Sequence, residues 1–298
     1  VTVILLALGA ACCLGLGFVL QQEAAQHAPP KDYLSLRLLL DLVRMPRWLA
    51  GIGLFVVGMA LGAVALGMGD ITLVEPLLAT NLLFAMALAR RLSGQRLGRS
   101  GWAGLWLLAG GVTAFIVAGQ PHGGTSEAGR PAQWLITAVL LGTALVLAAV
   151  AKHERTHVSL EAALLGVAAG LLYGLQDALT RISGERLGQG GWATLATSWH
   201  PYAIVVLGIT ALVMVQSAFE TAPLRLSLPA LTAAQPLAGI ACGVGFLGDR
   251  LRVTPGALAW EAAGIAAVIA GIVLIGSHPA MPPGAGKADP PVRELQPR

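Results

Sequence analysis

The chain has 298 residues, 56% of them apolar and only 11% charged, with a mean hydropathy of +0.74 and a formal net charge of +4. Ordinary soluble domains carry about 25% charged residues, so this composition excludes a soluble enzyme core and reads as a polytopic, all-α membrane protein. The basic residues fall between apolar stretches, which excludes a nucleic-acid footprint. Cys12, Cys13 and Cys242 all fall inside apolar stretches, which argues against a disulfide framework or a zinc knuckle.

In chain order, nine apolar segments are long enough to cross a bilayer: 2–20, 48–67, 71–89, 102–119, 132–151, 159–177, 201–219, 226–247 and 257–276. The first lacks a basic leader, so a cleaved signal peptide is not expected. Residues 36–48 alternate leucines with Arg37, Asp41, Arg44 and Arg47, the pattern of an amphipathic helix lying on the membrane surface. The Gly-rich stretch 120–131 reads as a flexible connection, and the Pro-rich tail after Ser277 as disordered. Trp48, Trp102, Trp106, Trp134, Trp192, Trp199 and Trp260 sit at or just before segment starts, as an interfacial aromatic belt requires.

Alternate connections share the basic residues unequally. Fourteen lie in the first, third, fifth and seventh connections and the tail, against five (Arg130, Arg181, Arg186, Arg250 and Arg252) in the opposite set. The positive-inside rule then predicts a multi-pass inner-membrane protein with its N-terminus outside and its C-terminus in the cytoplasm.

The sequence echoes itself. Thr72-Leu73-Val74-Glu75-Pro76-Leu77 returns as Thr232-Ala233-Ala234-Gln235-Pro236-Leu237, and Leu8-Gly9-Ala10-Ala11 as Leu165-Gly166-Val167-Ala168, with Gly17 answered by Gly174. Ala109-Gly110 and Ala270-Gly271 extend the echo to the fourth and ninth segments. The expected organisation is a first repeat over 1–119, a connecting segment over 120–158, a second repeat over 159–277 and a tail over 278–298. Because the first and sixth segments cross in opposite senses, the repeats are predicted to be inverted. Glycines four apart (Gly9 and Gly17 with Cys13 between; Gly166, Gly170 and Gly174) mark stripes of close helix packing.

The run Phe246-Leu247-Gly248-Asp249-Arg250-Leu251, followed by Trp260 and a small-residue helix, resembles the end of an EamA-type repeat of the drug/metabolite transporter superfamily. The nine-segment layout, the Val19-Leu20-Gln21-Gln22 exit and the Leu73-Val74-Glu75-Pro76-Leu77 opening are similar to its NIPA-like branch. The resemblance covers roughly residues 1–277. It implies inverted repeats around a central cavity, with magnesium uptake (NIPA relatives) or metabolite export (EamA relatives) as the associated activities. Asp249 stands where EamA repeats usually carry glutamate, and Ala89 stands at the matching position of the first repeat.

Polar residues inside apolar segments are the candidates for a substrate path. Glu75 is the first, as cation ligand or proton carrier, although Thr72-x-x-Glu75 is also a capping box. Gln235 and Pro236 are predicted near mid-membrane, where proline removes a backbone hydrogen bond and kinks a helix. Asn81, Tyr173, Gln176 and Gln216 complete the set; Gln176 and Asp177 are expected to close the sixth segment, Asp177 as an i,i+4 partner of Arg181. A metal site would rest on Glu75 alone. His153-Glu154-Arg155-Thr156-His157 matches the zinc-protease pattern H-E-x-x-H, but it is expected in a short exposed loop without a third ligand. Gly243-x-Gly245-x-x-Gly248 lies in an apolar helix and reads as packing. No Walker A or G-x-S-x-G pattern occurs in the sequence. The sequence therefore points to a non-enzymatic secondary transporter of a small metabolite or cation, with no cofactor, no nucleic-acid partner, the lipid bilayer as solvent and a homodimer left open. The alternatives are a membrane metalloprotease and a non-catalytic scaffold.

Overall fold

A computed structural model describes residues 1–27, 34–68, 74, 77–78, 80–92, 98–119, 130–153, 156–247 and 254–276. All regular structure among these is helical. The elements are α1 (Thr2–Ala25), α2 (Leu36–Leu42), α3 (Pro46–Met68), α4 (Asn81–Leu92), α5 (Arg99–Gly119), α6 (Arg130–Ala151), α7 (Val158–Ala196), α8 (His200–Thr221), α9 (Leu224–Leu247) and α10 (Pro255–Gly276). All but α2 and α4 are long and apolar enough to cross a bilayer, which gives eight candidate spans. The chain is thus a multi-pass helical membrane protein.

Several expectations change. Of the predicted third segment, only α4 is a described helix of any length. Its 12 residues reach roughly 18 Å at 1.5 Å per residue, short of a ~30 Å hydrocarbon core. Glu75 and Pro76 lie outside the described residues, as do most of the flexible connection and all of the tail. The predicted surface helix at 36–48 ends at Leu42, and Leu38 and Leu42 are buried in the core. A new helix, α3, starts at Pro46, where the fixed φ of proline suits a first turn. Trp48 is buried, whereas Trp106, Trp134, Trp192, Trp199 and Trp260 are exposed as an interfacial belt requires.

The sixth segment does not end at Asp177. Helix α7 continues to Ala196 and is broken only at Gly191, whose φ of 69° and ψ of −169° are open to glycine without a Cβ clash. Conversely, α9 runs as one helix through both Pro229 and Pro236.

Glycines decide how the helices meet. Along α7, Gly166, Gly170 and Gly174 lie successively against Ser227, Leu231 and Gln235 of α9. Rising numbers on both helices mean that α7 and α9 run parallel. Helices α5 and α10 run antiparallel and meet reciprocally: a Cβ at Gly104 would stand 2.8 Å from the Gly271 carbonyl oxygen, and one at Gly111 would stand 2.6 Å from that of Gly264. In α1 the stripe splits, with Gly17 facing Gly51 and Phe55 of α3 while Gly15 faces Asn81 and Ala85 of α4. In lipid, such approaches supply the dispersion contacts that hold helices together. The two ends of the chain join in one core around Phe18, which makes edge contacts with Phe55 and Phe219 at centroid distances of 5.4 and 6.3 Å.

Candidate functional site

The strongest polar group inside the bundle forms where α7 and α9 cross. Gln235 stands at the middle of α9. Its side-chain Nε2 donates to the Asp177 carboxylate (Oδ2) of α7 at 2.9 Å. The pair exists because Gly174 removes the side chain that would keep the helices apart, letting the Gln235 backbone approach α7 directly. Tyr173 lies one turn before Asp177 on α7, and Cys242 two turns after Gln235 on α9; both are close enough to feel the Asp177 charge. Asp177 remains accessible although it is crowded by protein on both sides. A carboxylate in a span that can be reached and has only a neutral amide donating to it can accept a proton or a cationic group.

The other predicted residues separate. Gln176 turns from this cluster towards α8, where its side chain packs at Gly208, and its Oε1 is buried without a hydrogen-bond partner. Asn81 packs against Gly15 of α1, and its Oδ1 is likewise buried and unpartnered. Pro236 lines a different space, an apolar groove of about 270 Å³ with Val112, Phe115, Val268 and Ile269.

Gln216 belongs to a seam between α1 and α8 at the end of the bundle where both helices terminate. Its Nε2 donates to Gln21 Oε1 at 2.8 Å, and both residues are buried. Beside them, Gln22 Nε2 donates to the Ala222 carbonyl at 3.0 Å, and the Leu34 N–H donates to Ser217 Oγ at 3.0 Å. These bonds join residues 183 to 200 positions apart in sequence. Phe18, one turn before Gln21 and Gln22, meets Phe219 edge-on beside them. The arrangement is a closed polar latch backed by an aromatic plug.

Among the described residues no group of three or more His, Cys, Asp or Glu could hold a metal ion. His153 and His157 are exposed and lie in the turn between α6 and α7, His157 as the residue capping α7. The H-E-x-x-H letters therefore lack the helix that would put both imidazoles on one face; Glu154 is outside the described residues.

Two pairings are not legible in the sequence, Asp177 with Gln235 and Gln216 with Gln21. Asp177 was placed at a helix end because its neighbours are polar; the signal that the helix continues is the apolar pair Ala178-Leu179 and the delay of the glycine break to 188–191. Gln21 and its neighbour were read only as a helix exit, and nothing local in the sequence pairs them with residues in α8.

No protein-family model matches the chain, and no solved structure does. The chain is similar to an uncharacterised protein of Corynebacterium glutamicum, 29% identical over 268 residues that cover 89% of this chain and 91% of the relative. That likeness carries no activity with it.

Proposed function

We propose that the protein is a secondary transporter of the drug/metabolite type, which moves a small metabolite or cation by alternating access between two inverted repeats. The observation that carries this reading is the accessible Asp177–Gln235 pair within the spans. An acid inside the membrane costs several kcal/mol unless a cavity or partner offsets it, and packing alone gives no reason to retain one. Asp177 carries the coupling proton or the cationic group of the substrate, Gln235 orients its carboxylate, and Tyr173 supplies a hydroxyl beside it.

Inverted repeats are supported by the α5–α10 contact. At a spacing of 160 residues, the distance between the two Thr-x-x-[Glu/Gln]-Pro motifs, Gly104 corresponds to Gly264 and Gly111 to Gly271. Gly104 meets Gly271 while Gly111 meets Gly264, and the second-tier neighbours correspond too: Ile275 beside Gly104, Phe115 beside Gly264. A two-fold axis in the membrane plane produces such an exchange of partners, i with j′ and j with i′. The Ala109-Gly110 pair is one residue out of this register, and a Cβ at Gly110 would meet nothing within 4 Å.

In this reading the α1–α8 latch closes the end that the charge count places in the cytoplasm. The structure would then correspond to an outward-facing state. Magnesium draws less support than a metabolite or proton, because the one carboxylate of the α7–α9 cluster is thin for an ion that prefers oxygen ligands with retained water.

The test is a ligand-induced thermal-shift screen of detergent-purified protein against divalent cations, amines, amino acids and organic acids. At least one class should raise the melting temperature of the wild type and not that of Asp177→Asn. An equal shift in the variant would remove Asp177 from the site.

A further inference from the structure

At the opposite end of the bundle from the latch, a cavity of about 470 Å³ opens between the start of α6, the late part of α7 and the start of α8. It is separate from the α7–α9 cluster and shares no residue with it. Its walls are unusual for a packing defect. Trp134 and Trp199 stack with ring centroids 5.5 Å apart and planes 20° from parallel, and Trp199 in turn stacks on His200 at 4.3 Å. Both indoles are substantially exposed, so the stack is not covered by other helices. Arg186 is the one charged side chain among the lining residues, and it makes no salt bridge among the described residues. His200 is only 6% exposed, yet its Nδ1 has no hydrogen-bond partner.

The hydroxyls in the wall are already committed. Thr137 donates to the Gln133 carbonyl, Thr197 to those of Ala193 and Thr194, and Ser198 to that of Leu195. Among the ionisable groups of the wall, the Arg186 guanidinium and the His200 imidazole can donate towards a guest, and the Gln133 amide lies beside them. A buried unpaired donor or acceptor is costly, and a ligand that pairs it removes that cost. The volume falls in the range typical of small-molecule sites, about 300–1,000 Å³.

We propose that this vestibule binds a small planar organic carboxylate. Its anionic end pairs with Arg186, whose forked donors match a carboxylate's two oxygens. The His200 imidazole donates the remaining hydrogen bond, and the flat apolar body lies against Trp199, Leu179 and Ile182. Inorganic phosphate satisfies the charge and leaves the indole wall empty; an aromatic amine satisfies the wall and is repelled by Arg186.

The two tryptophans report occupancy directly. Full-length protein in detergent is titrated with benzoate, inorganic phosphate and benzylamine while tryptophan fluorescence is followed, with benzoate-induced thermal shift as a second readout. The expected result is saturable quenching by benzoate, at least tenfold weaker binding of phosphate, and none of benzylamine. In Arg186→Gln the benzoate affinity falls at least tenfold, and in Trp134→Leu quenching shrinks while the thermal shift persists. No saturable response to benzoate, equal affinity for benzylamine, phosphate binding as tight as benzoate, or undiminished binding in a folded Arg186→Gln would each overturn the proposal. If Arg186→Gln does not fold, Arg186→Lys serves, with binding weakened because one ammonium replaces the bidentate fork.

Discussion

The two helices that the sequence matches best, α1 and α7, do different work with similar glycines. In α7 the stripe of Gly166, Gly170 and Gly174 is spent on one neighbour, α9, at backbone contact. In α1 it is divided: Gly17 goes to α3 and Gly15 to α4, while Gly9, the match of Gly166, has only the tip of Leu61 at 3.9 Å. The registers differ as well. Gly174 meets 235–239, which the 160-residue spacing equates with 75–79, whereas Gly15 meets 81–85. Because Gly15 matches position 172, two before Gly174, the α1–α4 contact is displaced from the α7–α9 contact by about eight residues, roughly 12 Å along the axis. In the proposed inverted-repeat reading, this offset is the asymmetry that alternating access calls for, since each half must be able to adopt the arrangement of the other.

This contrast can be broken by mutation, and the largest effect is expected at α7. Gly174→Leu should leave little folded protein in detergent, because the added side chain must displace the Gln235 backbone and no rotamer change relieves that. Next come the reciprocal glycines. Gly111→Ala or Gly271→Ala should each cost about 1–3 kcal/mol, measured by SDS-induced unfolding, with similar values if the two sites are equivalent by symmetry. A cost at only one of them would count against the two-fold relation. Gln216→Leu should cost about 1–3 kcal/mol by leaving Gln21 unsatisfied in a buried seam, and adding Gln21→Leu should restore much of it. Gly9→Ala, with room for a methyl, should stay within about 0.5 kcal/mol of wild type. If it proves as damaging as Gly166→Ala, the two helices are not packed differently.

The fold was legible wherever apolar length was the signal. Eight of the nine expected segments became long helices, because a run of ~20 apolar residues satisfies its own backbone only as a helix in lipid. The ends were less legible. Asp177 and Arg181 looked like a terminus, yet a helix in a thick bundle can carry polar residues onward as long as they face a crevice or the interface. Pro236 is expected to kink its helix, and α9 carries both it and Pro229 inside one continuous helix packed on α7. Gln235 and Tyr173 stand out in the sequence because their polarity in an apolar run is visible locally. Local polarity does not bring Asp177 to Gln235, 58 residues away, or Gln216 to Gln21, because those meetings depend on which glycine stripe faces which helix. The vestibule is invisible for the same reason: Trp134 and Trp199 each read as interfacial anchors, and only the meeting of the start of α6 with the turn before α8 makes them a stacked wall.

The central claim is that Asp177 is the charge the protein moves with its substrate. Reconstituted in proteoliposomes and screened by charge or proton movement against cations, amines, amino acids and organic acids, the wild type should give a solute-dependent signal for at least one class. Asp177→Asn, inserted to the same level and with the same melting profile, should reduce that signal at least tenfold. Wild-type flux in Asp177→Asn would contradict the account, and the absence of flux for every solute in the wild type would leave a membrane scaffold in its place.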